Sequence, residues 1–276
     1  MKSIGKSEYL NSRVGVAVSP RTPSPGAEPE SAGVLERLQQ IPHARQMNFR
    51  MGVVSLLRLA KEWFTYRELS RMLRLQQTVL NRYVKGHVIP SFPRCVVMLE
   101  RLRPILSLRE FVSRLSIKPD RPIDVSHLIG NPAVLNLTAL ECMMEFAEDR
   151  ITRVLASGAN GVALASVISR LLEQPLVIAK DYMDAGVDSF LECVKGAVGG
   201  RLELLYVPRE SIRKYDGVLI VDDIVRTGRT VDALADLVEA AGATTAGVYC
   251  LIAFKQGVER LRKRGLKVKY AVEASQ

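Results

Sequence analysis

The chain has 276 residues, 47% of them apolar, which suffices for the core of one large domain or of two ordinary ones. No apolar run approaches the roughly 18 residues that span a bilayer, and no apolar stretch of a signal peptide follows the N-terminus. The four cysteines are far apart without a CxxC pair, which argues against a zinc site or a disulfide framework. We therefore expect a cytoplasmic protein that needs no membrane and holds no metal of its own.

The formal net charge of +10 is concentrated in one part of the chain. Residues 45–121 contain 16 Lys and Arg against 5 Asp and Glu, whereas the rest of the chain sums to −1. A basic segment beside a nearly neutral one is typical of a nucleic-acid-binding module joined to a module with another task. A solvated basic surface would give the same composition.

Residues 1–44 predict a disordered tail, because the Pro- and Ser-rich stretch 19–26 cannot build a packed core. Met47 opens the first amphipathic segment and offers an alternative translation start. Residues 45–118 predict an all-helical domain, since apolar residues recur there at three- and four-residue spacings. These apolar residues are Leu56, Leu57, Ala60, Leu69, Met72, Leu73, Leu80, Tyr83 and Val84.

Within that domain, residues 66–86 resemble, without a gap, the helix-turn-helix of phage repressors and Cro. Leu69 and Ser70 supply the large and the small residue at the helix crossing. The resemblance implies that the second helix reads base edges, where Gln can pair with adenine and Arg with guanine. The implied DNA-binding residues are Gln76, Gln77, Thr78, Asn81, Arg82 and Lys85, and further phosphate contacts are expected from Arg67, Arg71 and Arg94.

Arg74 departs from the helix-turn-helix pattern, because the turn usually carries a left-handed glycine at this point. Arginine in that conformation costs about 1 kcal/mol or more. The alternative interpretation of the segment is a basic helical bundle used for oligomerisation.

Pro119 and Pro122 predict a linker, and residues 123–276 a second, ligand-binding domain. Its first part, 123–150, is expected to be helical. Beyond it, predicted strands (153–156, 175–179, 218–221, 246–253, 268–272) alternate with predicted helices (161–172, 230–241, 257–264). This alternation favours an α/β fold with a parallel sheet.

The strongest local pattern is residues 218–230, in which four apolar residues lead into Asp222 and Asp223. A short loop containing Gly228 then opens a helix, whose first N–H groups suit a phosphate. Gly228 allows the backbone to approach closely, and the two threonines beside it donate hydroxyl hydrogen bonds. Carboxylates cannot favour the phosphate itself, so Asp222 and Asp223 suit ribose hydroxyls.

These 13 residues resemble the motif for 5-phosphoribosyl-1-diphosphate (PRPP) in type I phosphoribosyltransferases. The resemblance implies a PRPP site to which Mg²⁺ comes with the ligand and is not held by the protein. The implied PRPP-binding residues are Asp222, Asp223, Arg226, Thr227, Gly228, Arg229 and Thr230. Arg226 stands where the enzymes usually have a small residue, and this form resembles archaeal regulators with an orotate-phosphoribosyltransferase-like domain. The alternative is a strand ending in a capped helix.

Two further segments fit the same resemblance. In the family the loop after the first strand wraps the diphosphate, and in this chain it contains Ser157, Gly158, Ala159, Asn160 and Gly161. Lys180, after the second strand, matches the position of a basic residue near the diphosphate. An ordinary surface lysine at a strand end would look the same.

The segment 181–203 bears on whether the chain is an enzyme. In the family a mobile loop at this point closes over the diphosphate, and cations neutralise the leaving group. This segment has five acidic residues against Lys195 and Arg201, so it is a poor clamp, although a well-placed Lys195 could suffice. No purine or pyrimidine pocket is recognisable, and we assign no catalytic residue.

Together the two halves resemble archaeal transcription regulators of sugar or nucleotide metabolism and bacterial purine-operon repressors. The first hypothesis is a homodimeric DNA-binding regulator on a palindromic operator, with PRPP or a nucleotide as effector. The alternative is an active purine or pyrimidine phosphoribosyltransferase, of orotate or adenine type, with an accessory N-terminal domain. An RNA-binding accessory protein is a third possibility.

Overall fold

The computed structural model describes residues 41–103 and 123–274. Residues 1–40 of the predicted tail and the predicted linker prolines lie outside these ranges. The chain divides into two compact units, Met1–Glu148 and Asp149–Gln276. No helix in the described ranges has the length and apolar character required to cross a bilayer.

The first unit is helical throughout its described residues. Its helices are α1 (His43–Trp63), α2 (Tyr66–Leu73), α3 (Gln77–Val84), α4 (Phe92–Leu102), α5 (Ser126–Ile129) and α6 (Pro132–Glu145). Local signals explain several of these boundaries: Thr65 and Glu68 form a reciprocal capping box at the start of α2, and Asn131 caps α6. The helical segment predicted from the apolar spacing is therefore present.

The core of this unit lies around α1. Phe49 and Phe92 meet edge to face with ring centroids 5.3 Å apart. A Cβ on Gly52 would lie 2.8 Å from a methyl carbon of Leu140, so the glycine lets α6 approach α1 closely. Of the predicted apolar residues, Met72 and Val84 are partly buried and the following are buried: Leu56, Leu57, Ala60, Leu69, Leu73, Leu80 and Tyr83.

The second unit contains the predicted parallel sheet, with five strands in the order β2-β1-β5-β6-β7. The strands are β1 (Arg153–Ser157), β2 (Leu176–Ala179), β5 (Gly217–Val225), β6 (Thr244–Phe254) and β7 (Val268–Ala274), and the helices are α7 (Ala159–Leu172), α8 (Arg229–Ala240) and α9 (Lys255–Lys263). After β1 the next strand along the chain, β2, is added at one side of the sheet, whereas after β5 the strands β6 and β7 are added at the opposite side. Right-handed crossovers then put α7 on the face opposite α8 and α9, and the switch point lies between β1 and β5.

Strand β5 is longer than the predicted 218–221. Its pairing with β1 ends at Val221, but its pairing with β6 continues as far as Val225 and Ala253. Asp222 and Asp223 therefore lie within the strand rather than after it. Because β1 no longer pairs with β5 at that level, they are still at the carboxyl edge of the sheet.

The segment 181–203, expected to be a mobile loop, contains the antiparallel strand β3 (Phe190–Val198) and the start of its partner β4 (Arg201–Pro208). The hairpin has its own apolar side, on which Leu191, Leu205 and Val207 are buried. Of the five acidic residues of this segment, Glu192 and Glu203 occupy exposed strand positions. The three aspartates lie in the connection 181–189, which is irregular.

Candidate functional site

The register of the sheet brings the three predicted ligand segments to one edge. Ser157 of β1 pairs with Ala179 of β2, and Ala156 pairs with Val221 of β5. The next residues along the three adjacent strands β2, β1 and β5 therefore lie side by side at the carboxyl edge of the sheet. They are Lys180, Gly158 and Asp223. Strands are about 4.8 Å apart, so these backbones lie within roughly 10 Å of each other.

Asp222 is the buried carboxylate of this edge, with 8% of its surface exposed. Its Oδ1 accepts a hydrogen bond from the backbone N–H of Asp223 at 3.0 Å. Helix α7 packs directly on it, because a Cβ on Gly161 would lie only 3.3 Å from Oδ1. Burial, and the charge of Asp223 beside it, raise the pKa of Asp222 well above its usual value. A carboxyl group at this edge can also exchange hydrogen bonds with hydroxyl groups of a ligand.

Two glycines shape the turn between β5 and α8. Gly228 is left-handed (φ +79°), and a Cβ on it would lie 3.0 Å from Cγ of Leu261. Gly257 at the start of α9 faces the carbonyl oxygen of Arg226, and a Cβ there would lie 2.7 Å from it. The turn is thus pressed against α9, and α8 begins with N–H groups that lack intrahelical partners.

The predicted arginines of the phosphate loop lie on its α9 side. The Arg226 guanidinium is 5.8 Å from the ring centroid of Phe254, at the end of β6. Thr227 and Arg229 border a pocket of about 390 Å³, whose other lining residues, all from α9, are Gln256, Glu259, Arg260 and Lys263. Arg260 is ion-paired with Asp232, which reduces the positive charge of the pocket.

Lys180 is occupied. Its Nζ donates to both carboxylate oxygens of Asp184, at 2.7 and 2.8 Å, and lies 5.2 Å from the ring centroid of Tyr182. The hydrogen bond to Asp184 raises the pKa of the Lys180 amine. Asp184 was not predicted as this partner, although its spacing of four residues from Lys180 in an acidic segment was a usable signal.

The helix pair of the first unit, α2 and α3, has the turn that the resemblance implied. Arg74 is left-handed (φ 50°, ψ 47°) between the two helices. Ser70 Oγ donates to the carbonyl of Leu75 at 2.5 Å, and Arg101 donates to the carbonyl of Leu73 at 2.5 Å. Buried Leu69, Leu73 and Leu80 join the two helices. The strained residue is therefore held by contacts on both sides of the turn.

Helix α3 presents one polar and basic face to solvent. The exposed residues there are Gln76, Gln77, Thr78, Arg82 and Lys85. Asn81 differs: its Oδ1 is buried and accepts no hydrogen bond from any residue that the structure describes. Arg94, expected to contact phosphate, donates to the hydroxyl of Tyr83 at 2.7 Å. Arg67 and Arg71 of α2 are exposed.

Comparison with known proteins identifies relatives of two kinds. The model of the phosphoribosyl transferase domain matches residues 139–274. The xanthine phosphoribosyltransferase of Moorella thermoacetica is 30% identical over 147 residues, which are 52% of this chain and 75% of that enzyme. The probable purine biosynthesis transcriptional regulator PurR of Streptococcus pneumoniae serotype 4 is 29% identical over 153 residues, 55% of this chain and 54% of the regulator.

Among solved structures, adenine phosphoribosyltransferase from Giardia lamblia has a TM-score of 0.52 at 20% identity, covering 59% of this chain and 96% of that one. This likeness concerns the fold, and it confirms the predicted parallel-sheet α/β domain behind an N-terminal helical segment. The Moorella enzyme and the Streptococcus regulator are both bacterial. The resemblance to purine-operon repressors therefore has support, whereas an archaeal origin has none.

Proposed function

This chain belongs to the phosphoribosyltransferase family, and on that premise we propose that it is a DNA-binding transcription regulator that senses PRPP or a similarly shaped nucleotide. The observation that carries the proposal is the exposed polar and basic face of α3. The same chain has a carboxyl edge of the sheet formed by Asp222, Asp223, the Gly228 turn and the Gly158 loop, called the phosphate edge below. Phosphoribosyl transfer makes no use of such a face, whereas a regulator needs one. The PurR relative supports a role in the control of nucleotide metabolism, whereas control of sugar metabolism stays a prediction.

In the ligand-binding half, Asp222 and Asp223 would accept hydrogen bonds from the ribose hydroxyls of PRPP. The start of α8 at Gly228 would hold the 5-phosphate, where N–H groups without partners and the helix dipole favour an anion. The loop around Gly158 and the amine of Lys180 would hold the diphosphate. Mg²⁺ would arrive bound to that diphosphate, and no residue of the chain is proposed to bind it.

In the DNA-binding half, Gln77 and Thr78 open α3 and would contact base edges, with Arg82 about one turn further on. Arg67, Arg71 and Lys85 would contact phosphates. Helix-turn-helix proteins usually bind as dimers to half-sites about one DNA turn apart. We therefore propose a homodimer on a palindromic operator.

Sensing is favoured over catalysis by the charge near the diphosphate position. The irregular connection 181–189 carries three aspartates and no lysine or arginine, and Lys180 is already ion-paired there. A leaving diphosphate needs added positive charge as it departs. This arrangement is suited to holding a ligand and poorly suited to expelling one.

The ligand proposal is tested by thermal unfolding with millimolar PRPP and Mg²⁺. A ligand that binds only the folded protein raises its melting temperature. We expect a rise for the wild type and none for the double variant Asp222→Asn/Asp223→Asn, which lacks the carboxylates that bind ribose. An unchanged melting temperature of the wild type would contradict the proposal.

The DNA proposal is tested by selecting bound fragments from genomic DNA and comparing two variants of α3. Arg82→Ala should cost about 1–3 kcal/mol and relax the preference at one operator position. Lys85→Ala, a matched loss of one positive charge, should weaken all DNA binding alike and reduce the salt slope by about one. A uniform loss from Arg82→Ala would put base recognition elsewhere.

The second candidate function is a true phosphoribosyltransferase, which the identity to the Moorella xanthine enzyme favours. Release of diphosphate from PRPP decides between the two. We expect none with xanthine, hypoxanthine, guanine, adenine, orotate or uracil. Turnover of about 1 per second with any of these bases would favour the enzyme, since this rate is at the low end of ordinary enzyme rates.

A further inference from the structure

The contact between Lys180 and Asp184 has a consequence for ligand affinity. The backbone of Lys180 is fixed, because it exchanges two hydrogen bonds with Tyr206 of β4, at 3.0 and 2.7 Å. The backbone of Lys180 is therefore held at the sheet edge, one residue beyond the pairing of Ala179 with Ser157. Asp184 reaches back from the irregular connection and uses both of its oxygens on the Lys180 amine.

The carboxylate of Asp184 contacts the Lys180 amine as an anionic group of a ligand would. Both of its oxygens accept from one ammonium group, with the Tyr182 ring beside them. About a third of each side chain is exposed, 32% for Lys180 and 34% for Asp184, so a ligand can reach the pair from solvent. A diphosphate at Lys180 would repel a carboxylate at this distance, so both anions cannot share the amine without an energetic penalty.

We propose that Asp184 is an affinity-setting residue, which competes with the diphosphate of PRPP for Lys180 and raises the PRPP concentration at which the protein responds. The inference rests on the proposed function, since it takes PRPP as the effector. Binding of PRPP would release Asp184, and the connection 181–189 would rearrange. The acidic segment that disfavours catalysis would then tune a sensor.

The size of the effect follows from the exposure of the pair. A partly exposed ion pair shifts an equilibrium by a factor of about two to five. Removing any one carboxylate near the diphosphate also reduces the electrostatic repulsion between the protein and the ligand. The effect of this repulsion on PRPP affinity can be measured with Asp181→Asn, because Asp181 is three residues from Asp184, carries the same charge and is exposed.

The experiment is calorimetric titration of the full chain with PRPP and Mg²⁺, and separately with inorganic diphosphate. We compare wild type, Asp184→Asn, the matched control Asp181→Asn, and each in the Lys180→Met background. We expect Asp184→Asn to bind both ligands about two to five times more tightly than Asp181→Asn does. In the Lys180→Met background this difference should vanish, because there is no amine to compete for.

Three results would overturn this inference and leave the proposed function standing. PRPP binding could be equal in Asp184→Asn and Asp181→Asn, or the gain from Asp184→Asn could persist in the Lys180→Met background. Weaker binding by Asp184→Asn would be the third, and would make Asp184 a ligand-positioning residue. No PRPP binding by the wild type or by any variant would overturn the proposed function, and the inference with it. Melting temperatures of all variants without ligand establish that each is folded.

Discussion

A left-handed residue stands at a helix end in both units, and the two positions differ in their surroundings. Gly228 opens α8 where a side chain has no room, because Leu261 and the Gly257 carbonyl lie within 3.3 Å of the place a Cβ would take. Arg74 closes α2 with its side chain in solvent. Glycine is therefore required by both conformation and space in the phosphate loop, whereas the helix pair tolerates strain at an open position.

The two regions also differ in what they bury. The helix pair buries leucines between α2 and α3, which stabilises it. The phosphate edge buries the carboxylate of Asp222 beside that of Asp223, which destabilises the fold without a ligand. Binding sites commonly sacrifice stability in this way. Replacing a buried leucine of the helix pair should therefore destabilise the protein, whereas replacing Asp222 should stabilise it in the absence of ligand.

The largest effect is expected from Gly228→Ala. Left-handed strain together with the contact to Leu261 should destabilise the second unit by about 1–3 kcal/mol and weaken PRPP binding. Gly265→Ala is the matched control, because Gly265 is also left-handed (φ +86°) but has open space around its Cβ position. The free energies of unfolding of both variants, measured by chemical denaturation, distinguish the backbone strain that they share from the steric contact that only Gly228→Ala makes. Equal losses would show that the packing against α9 is unimportant.

Asp222→Asn should stabilise the protein at neutral pH in the absence of ligand. A buried carboxyl with a raised pKa favours the folded state only when protonated, so its cost is absent below the unfolded pKa, near pH 4, and grows as the pH rises towards the folded pKa. A gain of about 1 kcal/mol would raise the melting temperature by roughly 2–4 °C. The difference from wild type should be small at pH 4 and should grow as the pH rises. A constant difference would contradict the assignment.

The smallest effect is expected from Arg74→Gly, which should relieve the strain in the turn and stabilise the first unit by up to about 1 kcal/mol. Arg74→Ala removes the same charge but keeps the Cβ, so it should give no gain. Thermal unfolding of both variants makes the comparison. A gain from alanine equal to that from glycine would mean that charge repulsion, and not backbone strain, is relieved.

The strand, turn and helix around Asp222 and Gly228 could be predicted because their signals are local, while their role in binding PRPP stays a prediction. The run of apolar residues before Asp222, the glycine turn and the amphipathic helix after it are contiguous, and each has one dominant physical cause. The left-handed turn at Arg74 was implied only by the resemblance to helix-turn-helix segments, since arginine is itself disfavoured in that conformation.

Features that depend on distant partners could not be predicted. The extension of β5 to Val225 follows from pairing with β6, which no local pattern indicates. Hairpin β3–β4 was not predicted, because the family resemblance implied a mobile loop at 181–203, and the two strands are stabilised by pairing with each other. Arg101 and Arg58, counted as charges available to nucleic acid, donate to the carbonyls of Leu73 and Val84. A guanidinium bound to a carbonyl keeps its positive field, so the basic character of the unit persists.

The proposed regulator requires that ligand binding at the phosphate edge changes the affinity of the α3 face for DNA. The most direct measurement titrates a labelled operator fragment, taken from the genomic selection, with the full chain in the presence and absence of PRPP and Mg²⁺. We predict a change in operator affinity of about 5- to 150-fold, and the same factor when PRPP is titrated with and without operator. Equal operator affinities in both conditions would contradict the proposal.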